Sequence, residues 1–273
     1  MKLLFSEAQP DYAHYIFPYA IWAVPEPGEK PSDLFNAGFL PSSRHLDRFY
    51  LCRQIRVTLA KFELSSENRR ILRKGEGIKV ELVPREKFDY TPARREFFKS
   101  YADTKFGKDV MTYERLDSLF NTPIISHLLV FTNMQTGAEI GVATLYVEDA
   151  ALAYYYYAFY DLNFPNRSLG MFMMTSAAQL FAERGTRHLY LGTCYSESAL
   201  YKTQFAGAEF FNGFRWSDNL DELKFLLRRD GAKSGKHLLE AEEYREQFYG
   251  GDLGKIATSS AFIVPLKLPP TGG

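Results

Sequence analysis

The stretch YAFYDLNFPNRSLG (residues 157–170), with a helical run to Gly185 and then HLYLGTCYSESALYKTQF (residues 188–205), decides how this chain folds. It orders an apolar strand, a tight turn suited to an anion, an amphipathic helix, a second strand and a Tyr-Lys pair. In the helix, residues 168–183, one face carries Leu169, Phe172, Met173, Ala177, Leu180 and Phe181. Gly185 suits its C-terminal cap. HLYLG then reads as a strand, SALYKTQFAG as a helix ending near Gly207, and EFFNGFRW as a last strand.

Upstream, HLLVFTN and EIGVATLYV flank a turn at residues 134–137, and a second turn at 148–150 leads into ALAYYYYAFYDL. Three such strands in sequence predict an antiparallel meander. Meander, helix, strand, helix, strand is the order of the acetyltransferase-like (GNAT) fold. By that analogy the chain is α+β, with a mixed, mostly antiparallel sheet flanked by helices and an N-terminal α+β portion. Fold alone assigns no activity.

Farther upstream, PARREFFKSYADTKFG places Phe97, Phe98 and Tyr101 at helical spacing and stops at Gly107, and TYERLDSLF makes a second short helix. RQIRVTLAKFEL alternates as a strand, with Ile55, Val57 and Leu59 against Arg56 and Thr58. Ser65 or Ser66 can cap a helix through Arg73 that ends at Gly75. The tail is charged and helical, as in NLDELKFLLRRD and KHLLEAEEYREQF. Three regions are expected: residues 1–90, a core at 91–216 and a helical extension at 217–273.

The 273 residues carry 33 Lys/Arg and 33 Asp/Glu, so no global charge marks a nucleic-acid binder. Residues 44–79 nevertheless hold ten Lys/Arg against four Asp/Glu. That excess is a solvated face or a basic surface. Two cysteines, Cys52 and Cys194, allow neither a disulfide framework nor a four-cysteine zinc site. Five histidines lack metal-ligand spacing, and no metal site is expected. The first apolar run is short for a signal peptide, and no segment approaches the roughly 20 apolar residues that span a bilayer. The chain reads as cytoplasmic, without a membrane partner.

Three places can carry chemistry. At residues 163–170, Asn166 or Ser168 can cap the helix, whose first amides offer an anion site. Arg167 adds a full charge, and Gly170 lets backbone approach backbone. The group can hold a phosphate or an acyl-transfer oxyanion, or be an ordinary capped helix start. Phe172 stands where a coenzyme A pyrophosphate loop prefers Gly or Ala. Tyr201-Lys202 can relay a proton and grip an oxyanion or phosphate; such a pair is otherwise structural. Tyr160-Asp161 ends the aromatic strand. Asp161 can orient an incoming amine or simply start a turn. The run Tyr154-Tyr155-Tyr156-Tyr157 reads as a strand packing rings on both faces rather than a base-stacking platform.

In order and spacing these residues resemble the aminoacyl-tRNA–protein transferase family of the arginyl and leucyl types. The family's strand ending in Phe/Tyr-Asp-Pro, then Arg-Ser-Leu-Gly, is matched by Phe159-Tyr160-Asp161-Leu162 and Arg167-Ser168-Leu169-Gly170. Its Tyr-Leu-Gly strand and Tyr-Lys-x-x-Phe segment are matched by Tyr190-Leu191-Gly192 and Tyr201-Lys202-Thr203-Gln204-Phe205. The chain departs from the family where only Cys52 remains of an N-terminal cysteine cluster, where Leu162 replaces proline, and where Phe106 replaces a usual His. Ala206-Gly207-Ala208-Glu209 also replaces a usual Arg-Pro.

The resemblance implies transfer of an amino acid from charged tRNA to the α-amine of a protein or peptide, with no cofactor. It implies catalytic roles for Asp161, Tyr201 and Lys202, and donor binding by Tyr160, Arg167, Ser168, Leu169 and Gly170. The tRNA backbone would lie against Arg53, Arg56, Arg69 and Arg70. Two alternatives share the scaffold: an N-acyltransferase using acetyl-CoA or another acyl-CoA, and a non-catalytic binding protein.

Overall fold

The computed structural model describes residues 1–14, 16, 18–165, 168–232, 235 and 237–262. The chain opens with β1 (Lys2–Glu7), β2 (Tyr19–Val24), α1 (Pro31–Asn36), β3 (Phe39–Pro41) and β4 (Phe49–Leu51), whose strands form a small sheet in the order β1-β2-β4-β3. β5 (Gln54–Thr58), α2 (Ser66–Lys74), β6 (Ile78–Pro84), α3 (Pro92–Phe106) and α4 (Tyr113–Phe120) follow. The meander is β7 (His127–Asn133), β8 (Glu139–Glu148) and β9 (Leu152–Tyr160). Then come α5 (Leu169–Glu183), β10 (His188–Thr193), β11 (Ala208–Phe211), β12 (Trp216–Ser217), α6 (Leu220–Gly231), α7 (Glu242–Tyr249) and α8 (Leu253–Ser259).

The helix starts are written locally. Ser65 accepts from the Asn68 amide and Thr91 from the Arg94 amide, with Pro92 at the first helical position, so each first turn has a partner for an otherwise orphan donor. Gly107, at φ +103°, ends α3 in a conformation that side chains resist.

Eight strands form the main sheet in the order β12-β11-β5-β10-β9-β8-β7-β6. Every neighbouring pair is antiparallel except β9 with β10. The meander, the α5 crossover and the parallel β10 make this the expected GNAT-like, mixed and mostly antiparallel sheet. β5 and β6, from the first 90 residues, are members of it.

The sheet separates two cores. Alternation along β9 sends Ala153 and Tyr155 to the side of α2, α5 and α6 and Tyr154 to that of α1, α3 and α4; a bulge at Tyr156 then resets the parity, so Phe159 faces the same side as Tyr154. Rings therefore pack on both faces of β9, as read from the sequence.

Two local readings need correction. The SALYKTQF segment forms a 3-10 helix, Glu197–Thr203, rather than an α-helix; within that helix only Ala199 and Leu200 pack against the core, and none of its residues is fully buried. EFFNGFRW is two strands, because Asn212-Gly213 turns the chain: Gly213 sits at φ +111° and the Asn212 side chain accepts from the Phe214 and Arg215 amides.

Candidate active site

β9 and β10 pair only from His188–Leu152 to Tyr190–Tyr154. Beyond that point they part. A register shift between Tyr190 and Gly192, with Gly192 at φ +79°, swings the end of β10 toward β5. The second half of β9 stays with β8. Between them opens a cavity of about 680 Å³. Tyr155, Tyr156, Tyr157, Ala158 and Tyr160 of β9 form one wall. Gly170, Met171 and Met174 of α5, with Tyr101 and Phe106 of α3, close two more, and Leu191, Thr193, Tyr201 and Lys202 line the β10 side.

The splay brings together Tyr160, Gly170, Tyr201 and Lys202, which the sequence marked at three separate places. A Cβ on Gly170 would lie 2.9 Å from the Tyr160 hydroxyl, so the glycine lets that ring lie against the start of α5. Leu169 is buried, with its side chain in the core. Ser168 occupies the cap position without a cap bond from its side chain, and its hydroxyl accepts from Lys74 Nζ at 3.3 Å. Asn166 and Arg167 lie outside the described residues. Phe172 packs inward, edge-on to Phe131, and its amide closes the first helical bond to Ser168.

Asp161 does not line the cavity. Its amide donates to the Ile140 carbonyl and its carboxylate accepts from the Asn163 amide at 2.8 Å, the geometry of a turn-starting Asp.

Lys202 Nζ donates to the Thr193 carbonyl at 2.8 Å, and among the described residues it has no carboxylate within ion-pair distance. Burial holds its pKa below the ordinary lysine value. Tyr201 keeps 46% of its surface exposed, yet the protein around its hydroxyl, with Tyr160 nearby, pushes that phenol up. The Tyr101 and Tyr160 rings lie against each other, 4.8 Å between centroids. The Tyr155 hydroxyl is buried with no partner among the described residues. The cavity is thus a ring of phenols and apolar side chains around one cation.

A second cavity of about 710 Å³ continues from the first across Tyr156, Tyr157, Leu191, Thr193 and Lys202, which line both. Its other walls are Tyr19–Trp22 of β2, Leu40–Ser42, Tyr50 and Leu51 from the small sheet, and Arg115 of α4. Arg115 also lines an outer cleft with Arg44.

The four arginines expected on a tRNA backbone divide into two pairs. Arg53 is bound to Asp230 at 2.5 Å and lies over the Tyr195 ring, and Arg56 is bound to Glu209 at 2.8 Å and lies over Trp216. Both side chains are only 13% exposed. Arg69 and Arg70 are exposed on α2, where Arg70 pairs with Glu67 and Arg69 donates to the Leu64 carbonyl. α2 packs against α5, so its exposed Arg69, Arg70, Arg73 and Lys74 lead toward the start of that helix.

Sequence reading missed Tyr155, Met171 and Met174 as cavity residues, since helix and strand periodicity marks them only as core. It missed Arg115 and the Trp22 wall altogether, because they reach the site through tertiary packing. Phe106 was marked, as a departure from a usual His. Among the described residues no cluster of His, Cys, Asp or Glu could hold a metal, and no helix is long and apolar enough to cross a membrane.

Residues 93–212 match the family described as Arginine-tRNA-protein transferase, C terminus. That span covers every lining residue of the first cavity. The chain is 28% identical over 177 residues to an aspartate/glutamate leucyltransferase of Ruegeria pomeroyi, covering 62% of this chain and 63% of that protein. It is 26% identical over 205 residues to one of Alkalilimnicola ehrlichii, covering 68% and 80%. The matches span just under two thirds of the length of the Ruegeria relatives. Among solved structures, L-PGS from Bacillus licheniformis aligns with a TM-score of 0.41 at 12% identity, covering 65% of this chain and 64% of that one.

Proposed function

We propose, from the membership of residues 93–212 in the aminoacyl-tRNA–protein transferase family, that this chain moves an amino acid from charged tRNA onto the α-amine of a protein or peptide. The observation that carries the reading is the seam where the two cavities meet at Lys202, a half-buried cation with no carboxylate partner among the described residues, beside a splayed strand pair. An ester carbonyl there would have donor and acceptor on its two sides.

The donor's side chain enters the first cavity. Among its described lining residues there is no carboxylate, two methionines and a leucine contribute apolar wall, and Lys202 is the cation. An arginyl guanidinium would face that cation without a counter-charge, so the donor's amino-acid side chain is uncharged. A leucyl group fits, and the Ruegeria and Alkalilimnicola relatives are named leucyltransferases.

The acceptor amine, with a pKa near ~8, is partly neutral at cellular pH and needs no strong base. It attacks the carbonyl, the developing oxyanion is met by Lys202 and the first amides of α5, and the ribose oxygen leaves. Tyr201 relays the proton lost by the amine nitrogen to that oxygen as the ester C–O bond breaks and the amide C–N bond forms, and ends as it began, a neutral phenol. Asp161 acts through the turn it starts, which fixes the approach to α5. Arg69 and Arg70, with Arg73, hold the tRNA backbone from the α2 side, in the cytoplasm where charged tRNA is made available.

The test is transfer of a labelled amino acid to a peptide with an N-terminal Asp, using leucyl-tRNA, arginyl-tRNA and acetyl-CoA as alternative donors. Transfer from leucyl-tRNA alone is expected. Transfer from acetyl-CoA would replace this reading with the N-acyltransferase one, and ligand binding without transfer from any donor would favour a binding protein.

A further inference from the structure

The second cavity carries a cation that the transfer chemistry leaves unused. Arg115 donates from Nη1 to the Val110 carbonyl at 3.0 Å and from Nη2 to the Tyr157 hydroxyl at 3.5 Å. Among the described residues it has no carboxylate partner, whereas Arg94 and Arg95 on the neighbouring helix are paired with Glu139 and Asp117. The adjacent Glu114 turns its carboxylate back to its own amide and the Thr112 hydroxyl. Arg44 lies beside Arg115, donating to its carbonyl at 3.4 Å, and also lacks an ion pair among the described residues. Arg115 lines the second cavity and shares the outer cleft with Arg44, so two arginines without an ion pair among the described residues border that cleft, and the guanidinium fork suits a carboxylate.

Position distinguishes which anion. Tyr157 lines both cavities, so Arg115 stands one hydrogen bond from the seam where transfer would occur. α2 packs on α5 through Ile71 and Leu72 on one side of the sheet, leaving its basic face exposed there, and α4 belongs to the core on the other. A donor tRNA held along α2 therefore leaves the α4 side open to the acceptor.

We propose that Arg115, backed by Arg44, reads the acidic side chain of the acceptor's first residue, making it a specificity-determining residue of the acceptor cavity. This rests on the transfer reaction proposed above and on the relatives' naming for aspartate and glutamate. An acidic first residue would place its carboxylate on Arg115 while its α-amine reaches Lys202.

The experiment measures direct binding of fluorescent peptides beginning with Asp, Asn or Lys to the full chain, without donor. Wild type is compared with Arg115→Gln and Arg115→Glu, and binding of charged tRNA is followed in parallel. The Asp peptide is expected to bind about tenfold tighter than the Asn peptide. In Arg115→Gln that ratio falls to about one with the Asn peptide unchanged, and Arg115→Glu shifts preference to the Lys peptide. An Asp preference that survives Arg115→Gln, no preference in wild type, or no binding of the Asp peptide at millimolar concentration would each overturn the assignment. So would loss of tRNA binding in place of peptide binding, which would make Arg115 a phosphate contact. An Arg115-dependent Asp preference in a protein that transfers nothing would uphold the acceptor site and sink the reaction.

Discussion

At the scale of single residues, burial has left several polar groups with one job each. His188 is 8% exposed, its Nδ1 has no partner among the described residues, and burial lowers its pKa from 6.5 to about 4, with Arg56 adding to the effect. The folded chain therefore keeps His188 neutral where an unfolded chain would protonate it. Its contribution is fully present above pH 6.5 and is lost as pH falls toward about 4, on the order of 2–3 kcal/mol over that window. Denaturant unfolding of wild type and His188→Gln across that range checks this. The wild-type curve should fall with acid and the variant's should be flatter. Nearby Glu209 is half-buried, which raises its pKa, but its ion pair and hydrogen bond with Arg56 hold it below the usual carboxylate value. The orphan hydroxyl of Tyr155 is different, since it borders the first cavity and a bound donor can supply its missing partner.

At the scale of elements, the start of α5 and the end of β10 make the site. Gly170→Ala isolates that geometry. Alanine is a better helix former than glycine by about 1 kcal/mol, so stability should change by no more than about that amount. The new Cβ would press on the Tyr160 hydroxyl, and transfer should fall on the order of tenfold if that ring shapes the donor cavity. Equal unfolding midpoints with unequal transfer would support this, and unchanged transfer would remove Tyr160 from the site. The meander and α5 were legible in the sequence because alternation and a 3.6-residue face are local signals. The caps at Ser65 and Thr91 were legible for the same reason. The place of β5 was not: residues 54–58 sit between β10 and β11, pairings set by packing over more than a hundred residues of chain. Tyr201 and Lys202 were marked by spacing, but only the splay shows that they share a cavity with Tyr160 and Gly170. The basic count over residues 44–79 could not reveal that Arg53 and Arg56 are spent on Asp230 and Glu209.

At the scale of the whole molecule, the C-terminal helices are part of the core. Leu223, Phe225, Leu226, Leu227, Tyr244, Tyr249 and Ile256 pack into the cluster that holds α5. Their anchor is Glu222, fully buried, whose carboxylate accepts from Ser217 and Tyr244 at 2.6 Å each and from Asn212 at 2.9 Å. It ties α6 and α7 to the hairpin of β11 and β12. Glu222→Ala would strand those donors and should cost about 3–5 kcal/mol, read as a lowered thermal midpoint. A midpoint within the error of wild type would mean that the tail contributes little. The molecule therefore presents one scaffold with a two-chambered cleft, and Lys202 is where its chambers meet. The measurement that tests this most directly is single-turnover transfer of leucine from labelled leucyl-tRNA to an Asp-initiated peptide, in wild type and Lys202→Ala, with tRNA and peptide binding measured in both. Transfer in wild type, lowered on the order of a hundredfold or more in the variant while both ligands still bind, is the expected result. Transfer at the wild-type rate in Lys202→Ala would contradict it.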